Sequence, residues 1–282
     1  MRVNVCLDVQ WRQPIETRDT SAGKQWGRGN AYEPYVGRWS RLVAPRFIDW
    51  LTPTPDGRWL DIGCGTGVLT QTILETARPS LVRGVDPAEG FVGFARDRVR
   101  DPRVAFEVAN ANQLPGDDGS FDYTVSGLVL NFVSNRAGAL DEMRRVTRAG
   151  GLIAAYVWDY AEGMELMRYF WDAAIELDGH AATLDEGVLS PICKPEPLRS
   201  LWVEASLNDV TVVPIDIDTV FRDFDDYWSP FLGGQGPAPS YTMSLDESAR
   251  DELKALLRRK LPTGDDGSIE LRARAWGVKG RV

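Results

Sequence analysis

Ten consecutive residues, Arg58-Trp59-Leu60-Asp61-Ile62-Gly63-Cys64-Gly65-Thr66-Gly67, constrain this chain more than any others. The run 58–62 has the character of a buried strand, 68–77 has helical spacing, and three glycines turn the chain between them. A strand that passes through a glycine-rich turn into a helix sets that turn at the carboxyl edge of an open α/β sheet, where such sheets bind ligands. Glycine there lets the backbone approach a ligand where a Cβ would intrude. The G-x-G-x-G spacing matches neither the phosphate loop nor the dinucleotide fingerprint. It holds no lysine, and Asp61 stands two positions before the first glycine, where a carboxylate accepts hydrogen bonds from an ammonium. This combination suits an amino-acid nucleoside better than a pyrophosphate.

The rest of the chain repeats the alternation. Candidate strands fall at 58–62, 81–85, 104–109, 121–126 and 151–157, with candidate helices at 68–77, 91–100 and 137–147, a pattern that predicts a parallel, doubly wound sheet. A helix is expected at 33–51, closed by Thr52-Pro53-Thr54-Pro55-Asp56-Gly57. Beyond the core, 164–177, 196–205, 224–231 and 246–260 read as helices and 209–217 and 268–278 as strands. The glycine- and proline-rich stretch 233–240 reads as a loop, either a lid or an inert connection. The division that follows is an N-terminal arm at 1–28 without regular structure, then one domain over 29–282. Within it lie an N-terminal helix (29–52), a cofactor-binding core (58–158), a helical insertion (159–207) and C-terminal strands and helices (208–282).

Two further motifs follow the first in order. Asp86 ends the second candidate strand in Leu81-Val82-Arg83-Gly84-Val85-Asp86-Pro87, where an acidic residue takes both hydroxyls of a ribose. After the third strand, Ala109-Asn110-Ala111-Asn112 offers Asn110 or Asn112 as acceptor for an adenine amino group.

In this order, with Phe121-Asp122-Tyr123-Thr124-Val125-Ser126-Gly127-Leu128 and Met143-Arg144-Arg145-Val146-Thr147-Arg148-Ala149-Gly150-Gly151 after them, the motifs resemble those of class I S-adenosylmethionine-dependent methyltransferases. The resemblance is to the UbiE-like, or type 11, branch that includes ubiquinone and menaquinone C-methyltransferases, and it is strongest over 59–158. It implies a Rossmann-like α/β fold, a doubly wound seven-stranded sheet with helices on both faces, an antiparallel last strand at 268–278 and a helical cap. It implies S-adenosyl-L-methionine as cofactor, with Asp61, Gly63, Gly65 and Gly67 at the methionine portion and Asp86 at the ribose. Asn110 stands where such families commonly carry Asp, which keeps an acceptor but removes a charge. Cys64, Pro87, Ala111 and Ser126, beside these motifs, and Tyr32 and Arg38 of the N-terminal helix complete the expected cofactor contacts.

Methyl transfer from a sulfonium is an in-line displacement, so the protein must hold an acceptor atom about 3 Å from the methyl carbon and exclude water. Asn131 and Phe132 after the fourth strand and Trp158 after the fifth are the expected acceptor-pocket residues. Asp159, Tyr160 and Tyr35 are the candidate bases. His180, in Asp178-Gly179-His180, reads as a turn residue. Two alternatives share the motifs: a protein that binds S-adenosylmethionine or S-adenosylhomocysteine without turnover, and, against the glycine spacing, a dinucleotide-dependent oxidoreductase.

Net charge of −9 over 282 residues disfavours a nucleic-acid partner and leaves a small-molecule methyl acceptor as the expected one. The arginines at 136, 144, 145 and 148 read as a solvated helix face. Three separated cysteines without C-x-x-C spacing suggest no disulfide framework and no metal site. The first thirty residues lack an apolar h-region, and the longest apolar run, 152–158, is far short of the ~20 residues that cross a bilayer. A cytoplasmic protein is expected.

Overall fold

Every second residue of the central strands faces the opposite side of one sheet, and both sides are covered. Trp59, Val82, Val125, Ala154 and Trp158 belong to one buried cluster, while their neighbours Leu60, Ile62, Val85, Ile153, Ala155 and Val157 belong to a second. The computed structural model describes residues 37–233 and 236–282. The N-terminal arm and the start of the expected first helix lie outside them. In chain order the elements begin with α1 (Arg38–Leu51), β1 (Arg58–Ile62), α2 (Val68–Thr76), β2 (Leu81–Asp86), α3 (Glu89–Arg98), β3 (Val104–Val108), β4 (Phe121–Gly127), α4 (Arg136–Val146) and β5 (Thr147–Trp158). There follow α5 (Glu165–Leu177), α6 (Glu186–Leu189), α7 (Pro195–Glu204), β6 (Asn208–Phe221), α8 (Phe224–Trp228), α9 (Pro237–Ser244), α10 (Glu247–Lys260) and β7 (Ile269–Arg281).

The seven strands order as β3-β2-β1-β4-β5-β7-β6. β1 to β5 pair in parallel, and β7 runs antiparallel between β5 and β6. This is the expected doubly wound sheet with the final strand inserted. Helices α1, α2, α3 and α5 pack on the first cluster, α4 and α7 on the second. The order reverses between β1 and β4, which opens a crevice at their carboxyl ends.

Three departures from the sequence expectations have a direct physical reason. β5 begins at Thr147 rather than 151, because Thr147 already pairs with Phe121 before a register shift between Phe121 and Tyr123. β6 runs to Phe221 rather than 217, because it continues against β7 as a two-stranded ribbon beyond the edge shared with β5. In the stretch 233–240, expected to be a loop, α9 begins at Pro237. Proline is compatible with a helix's first turn, and Tyr241 packs 5.7 Å from the Trp171 ring on α5.

Between β5 and β6 the chain forms a helical segment held by buried charge. Arg168 of α5 pairs with Asp185, and the indole N–H of Trp171 donates to the Glu186 carboxylate. Both carboxylates are buried. His180 lies exposed in a short 3-10 turn, its backbone N–H donating to Asp178.

Candidate cofactor site

The loop after β1 folds across the end of β2. The N–H groups of Gly63 and Cys64 both donate to the Val85 carbonyl, at 2.7 and 2.9 Å. Gly63 has φ +69°, and a Cβ on it would stand 2.5 Å from a Val129 methyl carbon. Gly65, at φ +51°, faces open space, with nothing nearer than the Gly63 carbonyl at 4.0 Å. One glycine thus lets the β1 and β4 loops close on each other, and another leaves room for a ligand. They border a cavity of about 200 Å³ lined from β1 (Asp61, Gly63 to Thr66), β2 (Asp86 to Ala88), β4 (Gly127 to Val129), α1 (Ser40), α2 (Val68, Leu69), α3 (Phe91), Phe132 and Tyr156 of β5.

Two carboxylates face this otherwise largely apolar space. Asp61 is 1% exposed; its Oδ2 accepts from the Thr70 hydroxyl at 2.6 Å, and its Oδ1 is buried with no hydrogen-bond partner. A buried acceptor without a donor is costly unless a ligand supplies one. Burial pushes the Asp61 carboxyl up to about 7, against the Thr70 hydrogen bonds, and the Asp86 charge adds to the rise. Asp86 accepts from Gly65 N at 3.1 Å and Ala88 N at 2.9 Å, so it orders the glycine loop from across the crevice; burial raises its pKa as well. Burial also raises the Cys64 thiol, which stays protonated.

The cavity brings together Asp61, Gly63, Cys64, Gly65, Asp86, Pro87 and Phe132 of the residues expected from sequence. It does not include the others. Gly67 packs its Cα toward Val99 and Ala95 behind the loop. Ser126 donates to the Ile62 carbonyl and ties β4 to β1. Asn110 turns its oxygen to the Asn112 N–H in a local Asx turn, with Ala111 inside that turn, so neither lines the cavity. Asn131 offers its carbonyl to Arg136. Trp158 is buried in the core, Asp159 accepts from the Glu162 N–H, and Tyr160 packs between the two hydrophobic clusters. Arg38 pairs with Asp226 at 3.1 Å and lies over the Trp39 and Phe221 rings, clamping α1 to the β6–α8 corner. Tyr32 and Tyr35 lie outside the described residues.

Sequence reading missed Ser40, Leu128, Val129, Phe91 and Tyr156 on the lining and Thr70 behind Asp61. Leu128 has φ +62°, unusual for a branched residue, with its N–H donating to the Tyr156 carbonyl at 2.8 Å. Nothing in a sequence window signals that conformation. At the expected arginine face, part-exposed Arg145 pairs with Glu142 and Asp118 and exposed Arg148 with Asp122.

A methyltransferase-domain family model matches residues 60–155, the segment that carries β1 to β5. The demethylmenaquinone methyltransferase of Shouchella clausii is 30% identical over 168 residues, covering 54% of this chain and 71% of that protein. The chain belongs to the class I S-adenosylmethionine-dependent methyltransferases, UbiE-like branch. A 37.1 kDa transposon Tn4556 protein of Streptomyces fradiae is 39% identical over 180 residues, 62% of this chain and 50% of that one. The chain thus spans about half the length of curated relatives such as this. Among solved structures, the Haemonchus contortus phosphoethanolamine N-methyltransferase 2 in complex with S-adenosyl-L-methionine shares the fold at TM-score 0.57 and 17% identity, covering 95% of this chain and 60% of that one. Among the described residues, no helix is long and apolar enough to cross a membrane.

Proposed function

We propose that this chain transfers the methyl group of S-adenosylmethionine to a small-molecule acceptor. The observation that carries the reading is Asp61: a buried carboxylate oxygen with no protein donor, at the topological switch point of the sheet and on the wall of the cavity. An α-ammonium supplies the missing donors. Asp86 stands one strand away with spare lone pairs for ribose hydroxyls, and Gly65 leaves room for close backbone approach. Two carboxylates in the lining oppose a pyrophosphate, which argues against a dinucleotide cofactor.

When bound, the cofactor supplies an electrophilic methyl carbon on a sulfonium. The described residues of the chain bind, orient and exclude water. Asp61 and Asp86 fix the two polar ends. Phe91, Leu128, Val129 and Tyr156 present apolar surface that keeps the reacting centre dry, and half-exposed Phe132 lies at the mouth, where an acceptor enters. Such a lining suits an acceptor with an apolar or planar body. Net charge of −9 favours a freely diffusing molecule over nucleic acid, and the buried thiols Cys64 and Cys193 fit a reducing compartment such as the cytoplasm.

Isothermal titration with S-adenosylmethionine and S-adenosylhomocysteine, beside NADH and an Asp61→Ala variant, tests the cofactor assignment. Micromolar binding of both sulfur compounds, lost in the variant, is the expected result; binding of NADH alone would overturn it. An acceptor screen that reads S-adenosylhomocysteine formation then tests turnover.

A further inference from the structure

Building on the S-adenosylmethionine reading of the cavity, we propose that Thr70 is a positioning residue, whose hydroxyl holds one oxygen of the Asp61 carboxylate, leaves the other for the ligand's ammonium and favours the ionised form. Helix α2 contains three threonines, and two of them bond back within the helix as helical threonines commonly do. Thr72 donates back to the Val68 carbonyl at 3.0 Å and Thr76 to the Thr72 carbonyl at 2.7 Å. Thr70, fully buried, instead donates across to Asp61 Oδ2 at 2.6 Å, joining α2 to β1 directly behind the glycine loop. Its backbone N–H also bonds to the carboxylate. One residue thus supplies both contacts to the carboxylate and leaves Oδ1 without a protein donor, on a residue that lines the cavity.

The arrangement has two effects. Oδ2 cannot rotate into the cavity without losing its donor, so the carboxylate plane is fixed. Donors to a carboxylate also favour its charged form, which burial otherwise opposes. The titratable groups bearing on Asp61 are Asp86, from the end of β2, whose charge opposes ionisation, and Cys64 in the glycine loop, a thiol kept protonated by burial. No arginine or lysine of the described residues figures among them, so Thr70 carries the work a cation does elsewhere.

The test is the pH profile of binding. Dissociation constants for S-adenosylhomocysteine, which carries the ammonium, and for 5′-methylthioadenosine, the same nucleoside without the amino acid, are measured from pH 6 to 8.5. Wild type, Thr70→Val, Thr70→Ser, Asp61→Asn and the Asp61→Asn/Thr70→Val double variant are compared. Thr70→Val should weaken S-adenosylhomocysteine about fivefold at pH 7, because Asp61 without the hydroxyl gives up its proton about tenfold less readily. Its affinity should go on rising with pH where the wild-type curve has levelled, with methylthioadenosine unchanged within about twofold. Thr70→Ser should restore the wild-type profile, and Thr70→Val should add nothing in the Asp61→Asn background. An unchanged S-adenosylhomocysteine profile in Thr70→Val, equal losses for both ligands, or full additivity in the double variant would each overturn the assignment. A wild-type protein that binds neither compound would overturn the cofactor reading itself. Should Thr70→Val lack the wild-type circular dichroism spectrum, Thr70→Ala carries the same comparison.

Discussion

Raising the pH from 5 to 8 should destabilise the ligand-free protein, opposite to the usual behaviour of carboxylates held by arginine. Asp61 and Glu186 are both buried, and burial lifts each to about 7, from 3.8 and 4.5 respectively. A carboxyl whose folded pKa lies above its unfolded one binds more protons folded than unfolded throughout the window between the two values. Its contribution is therefore complete below the unfolded pKa and is lost as pH rises toward the folded one. Between pH 5 and 8 most of that window is crossed, so each group costs on the order of 2–3 kcal/mol. Asp86 and Asp159, also raised by burial, act in the same direction. Asp122, Glu142 and Asp226, held low by arginines, lose their stabilisation only at acid pH, outside the range. Urea unfolding at closely spaced pH values measures the slope. Glu186→Gln and Asp61→Asn should each remove a comparable share of it, and saturating S-adenosylhomocysteine should remove the Asp61 share. A flat profile, or a slope unchanged in both variants, would refute the argument that burial outweighs the donors and charges around these carboxyls.

Other outcomes follow from the same geometry. Asp61→Asn keeps an acceptor for Thr70 but sets an amide where the ammonium docks, so at pH 8 S-adenosylhomocysteine should bind about 30- to 1,000-fold more weakly by calorimetry. In the wild type near pH 7 the same binding should release protons, seen as a heat that depends on the buffer's ionisation enthalpy. Gly63→Ala forces a left-handed alanine with its Cβ against Val129, and should lower stability by about 2 kcal/mol or more in thermal unfolding while abolishing cofactor binding. Arg168→Ala leaves the buried Asp185 carboxylate uncompensated and should cost about 3 kcal/mol in urea.

What the sequence made legible was local. Strand, glycine turn and helix are contiguous in 58–77, so β1, its loop and Asp61 could be read from spacing alone, and Asp86 followed from its place at the end of the next strand. The far side of the cavity could not. Tyr156 reaches it because β5 is the second neighbour of β1, and Ser40 because α1 packs at the sheet's mouth. The pairing of Arg38 could not be read from its surroundings either, because its partner Asp226 lies 188 residues away. α9 read as a loop because Gly236 and Pro237 are breakers inside a helix, yet here they form its start.

The insertion of β7 between β5 and β6 also sets the order in which the molecule can be completed. Strands β1 to β5 can zip together as the ribosome delivers them, each beside a neighbour already made or next to come. β6 cannot join them, since among the described residues its sheet partner is Ile269–Arg281, the last of the seven strands to be translated. Until those residues clear the exit tunnel, β6 remains an unpaired edge, the kind of species chaperones bind. A stalled or truncated chain lacking β7 would therefore present a finished half-sheet, glycine loop included, with an open flank prone to aggregation.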